Sequence, residues 1–203
     1  MQSYIKIDNI NKTSSTFYYI PKFLNSYEER VLLHYMNSTQ DFVATPSYTM
    51  NISRLQKWFH PEKKYFCPIW KDRFPQWESF EIDDTIKHIQ DKVQQYINNM
   101  NINIKKPNIN SCLINKYPDG KYFIAPHRDS ELSFGKEPTI INLSLGATRP
   151  LLFENDKETF SFDLESGSLF IMGGASQSSY VHSIKKSSCN NVRYSLTFRE
   201  FIL

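Results

Sequence analysis

The chain changes its hydrophobic period about halfway along. In the first half Ile82, Ile86, Ile89, Val93 and Ile97 recur at steps of three and four. That spacing puts them on one face and predicts a helix braced against another layer. Asp83 and Asp84 suit its amino end, where carboxylates complement the helix dipole. An earlier helix is expected from a cap at Asn25 or Ser26 to about Met36, after a short strand over Thr16 to Ile20 that Pro21 closes.

Beyond the Asn-rich stretch Met100 to Asn110 the period becomes two. Strands are expected over 111–117, 122–127, 140–145, 151–153, 159–164, 168–172, 181–184 and 192–198, separated by turn signals such as Pro118-Asp119-Gly120 and Glu165-Ser166-Gly167. Eight short strands with this punctuation predict a mainly β fold with flanking helices, a double-stranded β-helix or jelly roll. The stretch from Asn37 to Ser79 holds Pro46, Pro61, Pro68 and Pro75 and no long periodic run, and reads as surface hairpins and loops.

Composition narrows the class without choosing a function. At 203 residues the chain suits one sizeable core. It reads as a single domain, 1–203, with an N-terminal extension over 1–110 and a jelly-roll core over 111–203. Fifteen Phe and twelve Tyr favour a strand-rich globular fold over disorder. A net charge of +3 permits a nucleic-acid partner without requiring one. Cys67, Cys112 and Cys189 are odd in number and widely spaced, so they read as reduced thiols in an intracellular, nuclear or cytoplasmic protein. No apolar run approaches the roughly 18 residues of a membrane span, and no secretion signal is expected. A monomer is expected.

The chemistry concentrates in His127-Arg128-Asp129 and in His182 further along. Two imidazoles and a carboxylate are the ligands of a facial iron site, which leaves the other metal positions open. On an extended strand His127 and Asp129 point the same way, and His182 must come from a strand laid alongside. Arg193, Ser195, Thr197 and Arg199 share one face of the last expected strand, with Tyr194, Leu196 and Phe198 on the other. Arginines facing a jelly-roll interior need a counter-anion. A dicarboxylate co-substrate would serve, and so would acids such as Asp163 or Glu165.

Six ordered blocks carry a resemblance. They are Asn115-Lys116-Tyr117-Pro118-Asp119-Gly120; His127-Arg128-Asp129-Ser130-Glu131; Asn142 to Arg149; Gly167 to Met172; His182-Ser183; and Arg193 to Arg199. Together they resemble the AlkB family of iron(II)- and 2-oxoglutarate-dependent dioxygenases, which remove methyl groups from nucleobases. The resemblance implies His127, Asp129 and His182 as catalytic iron ligands. It implies Asn115 and Tyr117 as hydrogen-bond partners of 2-oxoglutarate, with Arg193 on its distal carboxylate and Arg199 near its metal end; Ser195 shares that face. Dioxygen is the second co-substrate, and alkylated DNA or RNA the implied partner, with no membrane partner. The two arginines lie about 20 Å apart on a straight strand, so both can reach one small ligand only if the strand coils.

Substrate residues are expected in two places. Glu131 would face the site if the extended backbone continues, and a carboxylate there favours cationic 1-methyladenine or 3-methylcytosine; a plain surface glutamate is the alternative. The stretch from Arg54 to Arg73 interleaves Arg54, Lys57, Lys63, Lys64, Lys71 and Arg73 with Trp58, Phe59, Tyr65, Phe66 and Trp70. Positive charge beside stacking rings suits a lid over an unpaired base, and the competing reading is a core hairpin with solvated lysines. Two other functions fit the same pattern: a 2-oxoglutarate-dependent oxygenase acting on a protein or small molecule, and a non-enzymatic jelly-roll binding module.

Overall fold

The computed structural model describes residues 2–8, 13–44, 54–65, 71–72 and 74–203. In chain order these form β1 (Gln2–Asp8), β2 (Thr13–Ile20), α1 (Ser26–Ser38), β3 (Val43–Ala44), β4 (Leu55–Phe59), a 3-10 turn (Pro75–Trp77), α2 (Asp84–Asn99), β5 (Ser111–Tyr117), β6 (Ile124–His127), α3 (Glu131–Phe134), β7 (Ile140–Gly146), β8 (Arg149–Glu154), β9 (Thr159–Leu164), β10 (Leu169–Gly174), α4 (Ser176–Ser179), β11 (Val181–Ile184) and β12 (Arg193–Arg199).

The strands make two sheets, an eight-stranded one in the order β1-β2-β10-β7-β12-β5-β4-β3 and a four-stranded one in the order β6-β11-β8-β9. This is the expected double-stranded β-helix. Its central strand β12 pairs antiparallel with both β5 and β7, matching Arg193 to Tyr117 and Gly146, and Ser195 to Asn115 and Ser144.

Alternation along β12 divides the molecule into layers. Tyr194, Leu196 and Phe198 join Ile114, Ile141, Leu143 and Leu145 in one core with Leu32 and Met36 of α1 and Ile86, Ile89, Val93 and Ile97 of α2. Each such side chain, fully buried, contributes roughly 1.5–3 kcal/mol, so this layer anchors the large sheet. The helices start where the sequence sets them. Asn25 caps α1 in a reciprocal capping box with Glu28, and the Asp83 carboxylate accepts from the Ile86 N–H at the start of α2. On the opposite face of the large sheet, Phe17, Tyr117, Ile140, Phe170 and Met172 pack with Leu151, Phe153, Phe162 and Leu164 of the small sheet. Arg193, Ser195, Thr197 and Arg199 face into the space between the sheets.

Two sequence expectations change here. The first 110 residues are not an extension beside the jelly roll. They supply β1 to β4, four strands of the large sheet, with β2 paired to β10 and β4 paired to β5. The stretch from Asn37 to Ser79 is accordingly not all surface loop. Leu55–Phe59 lies in register on Cys112 to Lys116, because five residues of mixed polarity can be held by a neighbouring strand that is itself fixed from both sides. No helix among the described residues is long and apolar enough to cross a membrane.

Candidate active site

A cavity of about 330 Å³ opens between the sheets. His127 ends β6 and His182 sits opposite it on β11 as its register partner, with ring centroids 4.2 Å apart. Asp129 reaches the same point by a different route from the one the strand period suggests. The strand stops at His127, and Asp129 stands in the turn before α3, where its backbone N–H donates to Gln177 Oε1 on α4 (2.9 Å). The potential ligand atoms of His127, Asp129 and His182 all lie within 4.8 Å of one another.

Each of the three is held in a state able to bind a cation. His127 Nδ1 lies 3.0 Å from the Ala125 carbonyl, which fixes its proton there and turns Nε2 toward Asp129 Oδ1 at 3.7 Å. Burial, and then the neighbouring His127, push His182 down to about 3, so its imidazole is neutral at ordinary pH. Burial alone would raise Asp129. Arg199, through its charge and its hydrogen bond, leads the influences that outweigh it and bring the carboxyl down to about 2. Arg199 places both Nε and Nη2 on Asp129 Oδ2, each at 2.8 Å, which leaves Oδ1 toward His127.

Elsewhere in the cavity Arg193 is 1% exposed. Its Nη2 donates to Ser144 Oγ (2.9 Å), its guanidinium lies 5.3 Å from the Tyr117 ring centre, and its Nε and Nη1 have no hydrogen-bond partner among the described residues. Asn115 Oδ1 accepts from Arg54 Nε (2.8 Å) and Gln56 Nε2 (2.6 Å), so β4 and the chain just before it turn the Asn115 amide. Asn142 donates to Ser195 Oγ and Thr197 Oγ1, extending the polar lining across β7 and β12.

Of the sequence candidates, the structure therefore brings His127, Asp129, His182, Asn115, Tyr117, Arg193, Ser195, Arg199 and Arg54 to one cavity. Four others lie elsewhere. Phe59 is buried in the helix-facing core. Trp58 points the opposite way and packs with Leu113, Phe134 and Phe201, buried as well. Tyr65 bridges to Glu78 outside the cavity lining. Glu131 is exposed and does not line the cavity, because the chain turns into α3 at Glu131 instead of continuing as a strand. Phe66, Trp70 and Arg73 fall outside the described residues. Arg199 engages Asp129 rather than standing free for a co-substrate. Trp77, Phe134 and Gln56 line the cavity although sequence reasoning did not select them. They come from short or irregular segments with no periodic signal.

An arginine-lined cavity with two histidines and an aspartate at one point is the arrangement of an oxidoreductase of the iron-dependent jelly-roll class. The chain belongs to the 2OG-Fe(II) oxygenase superfamily, whose model matches residues 16–199. That family uses iron(II), 2-oxoglutarate and dioxygen. Within it the chain is AlkB-like. It is 38% identical over 102 residues to the alpha-ketoglutarate-dependent dioxygenase alkB homolog 3 of Mus musculus, and 37% identical over 102 residues to the protein of that name from Homo sapiens. To the DNA oxidative demethylase ALKBH2 of Arabidopsis thaliana it is 28% identical over 116 residues. Each match covers 44% of this chain and 36% or 37% of the relative, so the chain spans little more than a third of the length of the curated relatives it matches. Among solved structures, OsALKBH1 superposes with a TM-score of 0.61 at 18% identity, covering 91% of this chain and 97% of that one. A prolyl hydroxylase from Trichoplax adhaerens, in complex with a hypoxia inducible factor peptide, gives 0.62 at 16% identity over 91% and 83%. At these identities the two superpositions establish the fold.

The residues present fit the family's cofactor. Two neutral imidazoles and an ionised carboxylate offer lone pairs to one point, and the His182 Nδ1 atom is buried without a hydrogen-bond partner among the described residues. They fit 2-oxoglutarate as well. Arg193 is a buried guanidinium with two unsatisfied nitrogens, and burial makes its charged form costly until an anion is supplied.

Proposed function

We propose that this chain is an iron(II)- and 2-oxoglutarate-dependent dioxygenase that oxidatively demethylates N-alkylated nucleobases, such as 1-methyladenine and 3-methylcytosine, in DNA or RNA. The observation that carries the chemistry is the juxtaposition, in one cavity, of the His127, Asp129 and His182 cluster with the anion-seeking Arg193. Identity to alkB homologues supports the nucleobase substrate, whereas the likeness to a prolyl hydroxylase extends only to the fold.

His127, Asp129 and His182 would hold the metal, which, together with 2-oxoglutarate and dioxygen, supplies the oxidation of a methyl C–H bond as the co-substrate leaves as succinate and carbon dioxide. The protein's own contribution is placement and electrostatics. Arg199 takes one oxygen of Asp129, so the other oxygen is the one that would be offered to the metal. Burial keeps the imidazoles unprotonated, which keeps their lone pairs available. Arg193 receives the distal carboxylate in a fork that Ser144 orients. Asn115, turned by Arg54 and Gln56, holds its amide toward the same ligand. Trp77 and Phe134 give the cavity apolar walls that limit water near the reacting carbon.

The test is direct. Purified protein with iron(II), ascorbate and 2-oxoglutarate should release formaldehyde from an oligonucleotide bearing 1-methyladenine or 3-methylcytosine, with one succinate formed for each formaldehyde. Absence of turnover on every methylated DNA and RNA oligomer, in protein that binds both metal and 2-oxoglutarate, overturns the nucleobase reading.

A further inference from the structure

Arg149 is among the largest fully buried side chains of the molecule, at 2% exposure, and it does not line the cavity. Its guanidinium donates to three backbone carbonyls: Asp119 (3.5 Å) and Tyr122 (3.2 Å) in the connection from β5 to β6, and Lys185 just beyond β11. Its Nε has no partner, and no carboxylate pairs with it among the described residues. The neighbouring Asp119 carboxylate accepts from the Lys121 N–H through one oxygen (2.7 Å) and favours the Arg149 charge without forming an ion pair. The loops that Arg149 ties are also joined directly. Gly120 donates to the Cys189 carbonyl (2.6 Å) and accepts from the Ser187 N–H (2.8 Å), so closely that a Cβ at Gly120 would lie 2.2 Å from the Ser187 oxygen.

Arg149 shares a ring with the arginine of the cavity. The Tyr117 ring centre lies 6.0 Å from the Arg149 guanidinium carbon and 5.3 Å from that of Arg193. Two buried guanidiniums thus flank one tyrosine with no ion-paired acid beside either among the described residues, and the Arg149 charge opposes that of Arg193. Like charges on one buried ring repel each other, and a bound anion would reduce that cost. Carbonyl clamping alone does not need a permanent charge.

We propose that Arg149 is a positioning residue for the distal carboxylate of 2-oxoglutarate. It holds Tyr117 and the two loops in place and adds a second buried positive charge to that part of the cavity, so that the site selects a dicarboxylate 2-oxo acid over a monocarboxylate one. The inference rests on the reading that Arg193 receives this carboxylate, and it assigns to a residue outside the cavity part of the selectivity.

The experiment compares 2-oxoglutarate with 2-oxovalerate, in which a methyl replaces the distal carboxylate. Binding of each to the manganese(II)-loaded full chain is measured by calorimetry, so no turnover is required. The wild type is expected to prefer 2-oxoglutarate strongly. In Arg149→Gln that preference should fall about tenfold or more, through weaker 2-oxoglutarate binding with 2-oxovalerate affinity nearly unchanged. Equal loss for both acids, or an unchanged preference, overturns the proposal, since a purely structural role weakens both together. If Arg149→Gln does not fold, Arg149→Lys decides. It keeps the charge but loses the fork, so the preference should stay within about threefold of wild type while Tm falls, and a collapsed preference overturns the proposal. A wild type that binds both acids equally would instead reject the placement of the distal carboxylate at Arg193.

Discussion

Arg193 and Arg199 lie on one face of the same strand and line the same cavity, yet their surroundings are opposite. Arg199 puts two nitrogens on the Asp129 carboxylate, and its counter-charge is built into the chain. Arg193 meets a serine hydroxyl and a tyrosine ring, with two nitrogens unsatisfied. The sequence treats the pair alike, as two arginines with spacing that puts them on one side of a strand. What separates them is the partner that folding brings to each. An arginine paired internally tunes a neighbour, and one buried with no acid beside it calls for an external anion.

The largest effect should come from the point where Arg199 acts. Replacing His127 with alanine removes one of three converging ligand atoms, and turnover should fall below detection while the fold persists. Metal binding, followed by calorimetry, should fall with it. Turnover equal to wild type in protein freed of contaminating enzymes would reject the metal site.

Next comes the contrast between the arginines. Arg193→Gln should raise the 2-oxoglutarate KM about 100-fold, because a carboxylate loses a bidentate charged partner, and should leave metal affinity unchanged. Arg199→Met should do the reverse. Metal affinity should fall about 10- to 100-fold, and the apo protein should lose about 3–5 kcal/mol in urea unfolding because Asp129 is left buried and unpaired. The two profiles must differ. If both variants weaken 2-oxoglutarate and metal alike, the division between the arginines is wrong.

The same division predicts where acid acts on the apo protein. Asp129 has a folded pKa of about 2 against an ordinary 3.8, so its contribution of about 2 kcal/mol is present above pH 3.8 and lost as pH falls toward 2. His182 adds to the loss at higher pH. It stays neutral when folded down to about 3, while the unfolded chain takes up a proton below about 6.5, so stability is lost as pH falls through that window. Urea midpoints should therefore decline steadily below pH 6.5 in wild type and in Arg193→Gln, whereas His182→Gln should show a shallower upper part of the decline, the remainder coming from His127, which burial also shifts down. An unchanged profile in His182→Gln would remove it from the acid response.

Most of the sandwich was legible because its strands alternate cleanly and end at turn residues, and β5, β9 and β11 fall where the pattern sets them. The cavity-facing set of β12 followed from the same period. Contacts spanning long stretches of chain were not legible. Arg54 reaches Asn115 across 61 positions, and Gln177 reaches the Asp129 backbone across 48. No local spacing encodes either pairing. Trp58 and Phe59 failed as base-stacking candidates for a related reason. Their aromatic and basic neighbourhood resembles a groove, but pairing of β4 with β5 sends Phe59 into the helix-facing core and Trp58 into a separate cluster on the other face with Leu113, Phe134 and Phe201. Period two located His127 and Asp129 as a pair while misjudging the backbone between them.

The segment that carries Asp129 offers a smaller effect. Gln177 holds Asp129 by its backbone N–H, so Gln177→Leu should cost about 1–3 kcal/mol by leaving a donor unsatisfied. It should weaken metal binding only a few-fold, roughly the share of second-partner effects that Arg199 does not already supply. An intact urea midpoint would mean that the turn is fixed without Gln177.

The smallest expected effect concerns Glu131, which an unbroken strand would have pointed at the substrate. The chain instead turns into α3 there, with Ser133 and Phe134 buried and Glu131 in solvent. A carboxylate in water discriminates poorly between cationic and neutral bases, since exposed charge pairs contribute about 0–1 kcal/mol. Glu131→Gln should therefore leave the ratio of kcat/KM on 3-methylcytosine to that on 3-methylthymine within about fivefold of wild type at fixed salt. Arg193→Gln should leave that ratio unchanged too, because it acts on the co-substrate shared by both reactions. A larger fall confined to Glu131→Gln would mean that α3 unwinds when substrate enters and brings the carboxylate to the base. The cavity would then have a charged wall that its substrate-free form holds outside.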